Sequence, residues 1–126
     1  MHEATIAQSI LQILSEKLLQ SCPSGQIVKA RLLIGEFRNI DVDSLSFSFD
    51  TLKKFHQGIS SCNLEFETIP TEAVCQKENH IYHPTFENTF LCEQCQSGIG
   101  KIIRGEELDL VETTILSSSM ENDQYA

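Results

Sequence analysis

The sequence predicts an α/β (α+β) fold: a small mixed sheet with two helices, interrupted by an inserted metal-binding segment. Two observations predict this fold. The patterns along the 126 residues follow the order helix, strand, helix, strand, insert, strand. Three of the five cysteines fall within one stretch between residues 75 and 95. A chain of this length supports one modest hydrophobic core together with a small second domain that is held together by a metal ion.

Apolar residues predict the first helix and the first strand. In the helix they recur along one stripe at helical spacing, at Ile6, Ile10, Ile13, Leu14 and Leu18. The breaker cluster at residues 21–25 should end this helix. Residues 26–37 then alternate between two faces, as a half-buried strand does.

Residues 41–55 fit both a strand and a helix, because their apolar residues alternate and also recur at helical spacing. A helix is favoured for two reasons. Asp43 or Ser44 can cap its N-terminus, and Gly58 lies just past its end.

Two further strands flank the insert. Residues 62–69 alternate, with Cys62 facing the core, and residues 107–115 form the last strand. Gly98 and Gly100 are expected to loosen the chain before that strand.

These elements define the expected domains. Residues 1–70 and 106–116 form an α/β domain, and residues 71–105 form an inserted zinc-ribbon domain. Residues 117–126 are polar and acidic, and we expect them to fray.

The charge of the chain limits its partners. The formal net charge is −9, from 9 Lys and Arg against 18 Asp and Glu. Between Cys75 and Cys95 one base, Lys77, stands against Glu78, Glu87 and Glu93, so a nucleic-acid partner is disfavoured. No stretch approaches the ~20 apolar residues of a membrane span, and the start lacks the pattern of a secretory signal. With an odd number of cysteines as well, we expect a cytoplasmic protein with no membrane partner.

The insert offers ligands for one Zn²⁺. Two short clusters separated by a loop suit a tetrahedral ion, because each cluster is a tight turn that offers two ligands. The three thiolates would come from Cys75, Cys92 and Cys95. For the fourth ligand we rank His80 first, His83 second and Glu78 third, because imidazole suits Zn²⁺ well. Neither a redox pair nor a zinc hydrolase fits the surrounding sequence, so we expect a structural site in a protein that is not an enzyme.

The first three residues, Met1-His2-Glu3, can form a second metal site. The His2 imidazole, the α-amino group and the amide nitrogen between them close small chelate rings that favour square-planar Ni²⁺ or Cu²⁺. Glu3 can add a carboxylate. The alternative is an exposed terminal histidine with no role.

Four motifs occur together and in order: Met1-His2-Glu3, Leu32-Leu33-Ile34-Gly35-Glu36, Cys75…Cys92-x-x-Cys95 and Gly105-Glu106-Glu107-Leu108. This ordered combination, over residues 1–115, resembles the HypA/HybF family of nickel metallochaperones for [NiFe]-hydrogenase maturation, which in some organisms also serve urease.

The resemblance implies a nickel-binding α/β domain with a zinc ribbon inserted before its last strand. It makes His2 the principal nickel ligand and Glu3 its neighbour, and Asp41 matches an acidic position that can approach the nickel. The alternative role of Asp41 is a helix N-cap. The implied partners are the HypB GTPase and the hydrogenase large subunit, and we expect a monomer or weak homodimer.

The chain departs from the family at Glu78, where the usual ribbon has the second thiol of its first C-x-x-C pair. Some relatives carry a histidine where His80 stands, which favours it as the replacement ligand. We therefore expect a carrier that delivers Ni(II) during hydrogenase or urease maturation. The alternative is a zinc-ribbon adaptor that binds only proteins and carries no nickel.

Overall fold

The computed structural model describes residues 2–117. Two helices, two short 3₁₀ turns and six strands make up this part of the chain. The helices are α1 (Glu3–Ser21) and α2 (Val42–Leu52), and the 3₁₀ turns are Glu36–Arg38 and Lys53–Phe55. The strands are β1 (Gln26–Gly35), β2 (Asn63–Ile69), β3 (Glu72–Cys75), β4 (Ile81–Tyr82), β5 (Ile99–Arg104) and β6 (Leu108–Leu116). The predicted mixed α/β class with two helices is confirmed.

The strands form two small sheets. The first has the order β2-β1-β6, so the strands before and after the insert both flank β1. The second has the order β4-β3-β5, with both neighbours antiparallel to β3. The second sheet lies within the predicted insert, where no strand was expected. Strands β3 and β4 are only four and two residues long, and the burial of the six residues of β5 does not alternate.

The chain divides into two compact units. The first comprises the described parts of Met1–Leu32, Ile40–Phe66 and Leu110–Ala126, and the second comprises Leu33–Asn39 and Glu67–Asp109. Residues 118–126 of the predicted tail lie outside the described residues. The domain boundaries drawn from the sequence remain a prediction.

The core of the first unit forms where α1 packs against α2. Its fully buried side chains come from both helices and from β1, and include Ala7, Leu11, Leu14, Ile27, Ala30, Leu45 and Phe49. The apolar stripe predicted for α1 is buried at Ile10, Leu14 and Leu18. Ile6 is only partly buried, and Ile13 is half exposed. Cys62 is fully buried, as expected, and burial raises the pKa of its thiol to about 11. Among the described residues, the helices are too short or too polar to cross a membrane.

In the second unit, the end of β1 is fastened to the segment before β6. The N–H of Gly35 donates to the Glu107 carbonyl (2.7 Å), and the N–H of Phe37 donates to the Gly105 carbonyl (2.8 Å). A Cβ at Gly35 would collide with the backbone of Gly105, so this approach requires glycine.

The expectation that Gly98 and Gly100 loosen the chain is wrong for Gly100, which lies within β5, whereas Gly98 lies in the loop just before that strand. A Cβ at Gly100 would stand 3.1 Å from both the Gln76 Cα and the Val74 carbonyl oxygen. A glycine at position 100 therefore allows β5 to lie close to the backbone of residues 74–76.

Helix α2 is capped by Asp41, not by Asp43 or Ser44 as the sequence suggested. The Asp41 Oδ1 accepts hydrogen bonds from the N–H groups of Asp43 (3.0 Å) and Ser44 (3.2 Å). Asp41 has extended backbone, as an N-cap residue should, whereas Asp43 is already helical. The alternative that Asp41 is a helix N-cap is thus confirmed.

We predict that Asp41→Ala lowers the free energy of unfolding by about 1 kcal/mol, the usual effect of removing an N-cap acceptor. Asp41→Asn keeps an oxygen at the same place and should recover most of that loss. Asp43→Ala is the matched control, since the Asp43 side chain does not cap the helix. Chemical denaturation monitored by circular dichroism measures all three. Equal losses for Asp41→Ala and Asp43→Ala would contradict the assignment.

Candidate metal centre

Four side chains of the second unit converge on one point. Cys75, His80, Cys92 and Cys95 each offer one ligand atom, and all four atoms lie within 4.8 Å of one another. Cys75 and Cys92 are about 1% exposed, whereas Cys95 and His80 are half-buried. The structure therefore brings together the three predicted thiols and the histidine that was ranked first.

The distances suit a tetrahedral zinc ion. Zn–S bonds of ~2.3 Å and a Zn–N bond of ~2.0 Å at tetrahedral angles separate the ligand atoms by about 3.6 to 3.8 Å. The His80 Nδ1 lies 3.6 Å from the Cys92 Sγ and 3.8 Å from the Cys75 Sγ. The Sγ atoms of Cys75 and Cys95 are 3.5 Å apart. The donor set and its spacing thus fit Zn²⁺.

Two turns of the same construction present these ligands. We name residues 75–80 the first ligand turn and residues 92–97 the second. In each, the N–H of the first cysteine donates to the carbonyl of the sixth residue, at 3.0 Å to His80 and 2.9 Å to Ser97. The fifth residue is left-handed in both, with φ of 58° at Asn79 and 60° at Gln96. Each turn folds back on itself and aims its side chains at the same point.

Hydrogen bonds to sulfur favour the thiolate forms of Cys75 and Cys95, whereas burial raises the pKa of the Cys92 thiol. The Cys75 Sγ accepts the N–H groups of Glu78 (3.4 Å) and His80 (3.2 Å). Burial works to raise the pKa of the Cys75 thiol, but these donors hold that pKa at about 5. The Ser97 hydroxyl, 2.8 Å from the Cys95 Sγ, lowers the pKa of Cys95. Contact with the cysteine sulfurs raises the pKa of His80.

The other two candidates for the fourth ligand lie outside the cluster. The His83 Nε2 is 2.6 Å from the Glu36 Oε1, so its ring is engaged elsewhere in the second unit. That contact lowers the pKa of Glu36, whose carboxylate also accepts the N–H of Thr71. The Glu78 Oε2 lies 3.5 Å from the His80 Nε2, on the side of the ring away from the sulfurs.

Sequence reasoning missed two residues of this centre. Ser97 contacts the Cys95 sulfur, and Glu36 contacts the ring of His83, the second-ranked candidate ligand. Aligning the two clusters at equal offsets, C-x-x-E-x-H against C-x-x-C-x-S, would have pointed to Ser97. No local pattern indicates Glu36, because it is distant from the cluster in sequence.

The predicted nickel residues lie in the first unit. Met1 is outside the described residues. His2 is exposed at the start of α1, and its side chain makes no capping hydrogen bond. The Glu3 Oε2 accepts the N–H of Asp41 (3.1 Å), and this bond lowers the pKa of Glu3. The structure thus brings Glu3 and Asp41 together at the start of α1.

Comparisons with known proteins agree with this architecture. The family described as "Hydrogenase/urease nickel incorporation, metallochaperone, hypA" matches residues 1–115. The hydrogenase maturation factor HypA of Campylobacter jejuni is 32% identical over 113 residues, which is 88% of this chain and 96% of that protein. The guanidine hydrolase-activating protein A of Synechocystis is 26% identical over 110 residues, which is 87% of this chain and 91% of that protein.

A solved structure gives the same picture of the fold. The solution structure of the Ni metallochaperone HypA from Helicobacter pylori superposes with a TM-score of 0.65 at 21% identity, covering 94% of this chain and 100% of that one. At this identity the likeness concerns the fold, whereas the family match rests on nearly the whole sequence. The chain therefore belongs to the HypA family of nickel metallochaperones that act in hydrogenase maturation.

Proposed function

We propose that this chain binds Ni(II) through its first residues, delivers it to a [NiFe]-hydrogenase precursor, and uses a structural Zn²⁺ to hold its second unit together. The observation that carries the nickel proposal is the start of α1. There the exposed His2 adjoins a carboxylate, Glu3, that is itself fixed by the backbone of Asp41.

The nickel ligands we propose are the α-amine of Met1, the amide nitrogen and imidazole of His2, and a carboxylate from Glu3 or Asp41. Amine, amide and imidazole nitrogens close a planar chelate that favours Ni²⁺. The hydrogen bond from Asp41 keeps Glu3 ionised, because it favours the carboxylate form. An exposed site of this kind leaves one side of the ion open to a receiving protein.

For zinc we propose the ligands Cys75, His80, Cys92 and Cys95, with His83 and Glu78 as the less favoured candidates for the fourth position. Four protein ligands close the coordination sphere, which is the mark of a structural ion. Such an ion contributes to folding directly, because the unfolded chain has no preformed site.

The proposed partners are the HypB GTPase and the hydrogenase large subunit, in the reducing cytoplasm, where clustered thiols persist as metal ligands. The net charge of −9 suits a partner surface rich in Lys and Arg. The family description names urease beside hydrogenase, and the Synechocystis relative is named for a guanidine hydrolase. A nickel enzyme other than hydrogenase is therefore the second candidate client.

The zinc proposal predicts a ranking of two histidines. His80→Ala should weaken zinc binding by more than about tenfold, or 1.4 kcal/mol, because it removes a ligand. His83→Ala is the matched control, since that ring pairs with Glu36. Zinc affinity is measured by competition with a colorimetric chelator. A larger effect of His83→Ala would contradict the ligand set, and so would a purified protein that takes up no zinc.

The place of Glu78 predicts the outcome of restoring a thiol. In Glu78→Cys the first ligand turn regains a C-x-x-C pair, so zinc binding should tighten and His80 should become dispensable. The rate of zinc loss to excess chelator, with and without His80→Ala, measures both effects. Unchanged retention in Glu78→Cys would mean that the existing fourth ligand is already well placed.

The nickel proposal predicts that an amino-terminal tag abolishes binding without altering any side chain, because it removes the α-amine from the chelate. His2→Ala should have the same effect through loss of the imidazole. Each change should weaken nickel binding at least tenfold, about 1.4 kcal/mol. Calorimetry on the untagged, tagged and His2→Ala proteins measures it, and zinc content should stay unchanged in all three.

Two further variants refine the nickel test. Asp41→Asn keeps the helix cap while removing the charge, so any loss of nickel affinity reports on the carboxylate alone. His56→Ala is the control for a histidine elsewhere in the first unit. Equal nickel binding by all variants, or none by the untagged protein, would instead favour an adaptor that binds only proteins.

A further inference from the structure

The two ligand turns have the same backbone, so their side chains can be compared position by position. Each turn begins with a cysteine, has its fifth residue in the left-handed region and closes with a hydrogen bond from the first residue to the sixth. The equivalent pairs are Cys75 and Cys92, Glu78 and Cys95, Asn79 and Gln96, and His80 and Ser97. The fourth and sixth positions are where the turns differ in chemistry.

In the second turn, the first residue is a cysteine of the cluster, the fourth residue supplies a further ligand, and the sixth residue supports that ligand. Cys95 belongs to the cluster, and the Ser97 hydroxyl lies 2.8 Å from its sulfur. In the first turn the sixth residue, His80, belongs to the cluster. Its neighbour at the fourth position is Glu78, whose Oε2 lies 3.5 Å from the His80 Nε2.

We propose that Glu78 is a positioning residue for His80, so that the two turns exchange the ligand and supporting positions. This inference rests on the zinc site proposed above. In the first turn the sixth residue binds the ion and the fourth holds its ring. In the second turn the fourth residue binds and the sixth stabilises the thiolate.

The orientation of the His80 ring carries the argument. Its Nδ1 faces the sulfurs of Cys92 (3.6 Å) and Cys75 (3.8 Å), and its Nε2 faces Glu78. An imidazole that binds zinc through Nδ1 keeps its proton on Nε2, and a ligating histidine usually donates that proton to a carboxylate or carbonyl. Such a bond fixes the tautomer and the plane of the ring and increases the basicity of the ligand nitrogen.

Charge explains why Glu78 supports the site and does not bind the ion. Three thiolates and Zn²⁺ already carry one net negative charge, and a carboxylate ligand would add a second in a half-buried place. A neutral imidazole adds none. The Glu78 side chain is 62% exposed, so its own charge stays solvated beside the site. The present distance of 3.5 Å is an ion-pair contact, longer than a hydrogen bond, and an exposed side chain can close that gap by a small rotation.

A double-mutant cycle tests the coupling of Glu78 to His80. The cycle comprises Glu78→Ala, His80→Ala and both changes together, with zinc affinity measured by chelator competition. Glu78→Ala should weaken zinc binding by about tenfold or more, as loss of such an outer partner does. In the His80→Ala background the same change should have no further effect. Glu78→Gln, which keeps an acceptor oxygen, should retain part of the affinity.

Two additional measurements separate positioning from charge or folding. Glu93→Ala removes an exposed carboxylate from the second turn and should leave zinc affinity unchanged. In the zinc-loaded protein, ¹⁵N NMR should find the His80 proton on Nε2, and its exchange with water should accelerate in Glu78→Ala. A merely structural role for Glu78 would not alter that exchange.

The outcomes are distinct. No loss of zinc affinity in Glu78→Ala would overturn the inference, and so would a loss that persists without His80 or is matched by Glu93→Ala. If His80→Ala alone leaves zinc affinity unchanged, the proposed ligand set fails, and Glu78 has no ligand to position. Nickel binding at the amino terminus is independent of all these results.

Discussion

The close approach of three cysteine sulfurs is the constraint on which the second unit depends. Two of these sulfurs, on Cys75 and Cys95, stand 3.5 Å apart, and Cys75 and Cys92 are almost fully buried. Three thiolates at this separation repel one another unless N–H donors and a cation offset their charge. The unit has few other buried apolar side chains, chiefly Ile34 and Ala73 among the described residues. Its order therefore depends on what binds the sulfurs, so metal binding and folding are expected to be coupled.

A second constraint explains why distant motifs occur together in this sequence. The end of β1 and the segment before β6 are bonded through Gly35, Gly105 and Glu107, and no Cβ fits at Gly35. One residue further on, Glu36 accepts from Thr71 and contacts His83. The same short segment thus fastens the end of the first sheet's central strand and provides a carboxylate partner for His83. Among the described histidines, His80 is the one that belongs to the cluster.

The sequence was informative where a periodic pattern runs through a long helix or strand, and where the metal ligands lie within one segment of the chain. Helix α1, strand β1 and the convergence of Cys75, Cys92 and Cys95 follow from patterns within a single segment. Patterns failed where the deciding partner is remote or the element is short. The strands β3 and β4 are too brief to alternate clearly, and the role of Gly100 depends on Gln76, which lies in the first ligand turn. The cap of α2 was misplaced by two residues because Asp41 and Asp43 are chemically equal, and only backbone conformation separates them.

The two proposed metal sites differ in burial and in the number of protein ligands, as a structural ion and a transported ion require. In the cluster, each thiolate has hydrogen-bond donors or an imidazole beside it, and two of the three sulfurs are shielded from water. An ion held by four such ligands has no open position for an incoming group, so it exchanges slowly and serves as structure. At the start of α1, His2 is exposed, and the Glu3 carboxylate accepts the N–H of Asp41. An ion bound there would have room to gain a ligand from a partner before it loses one from this chain, and this order of events suits the transfer of cargo.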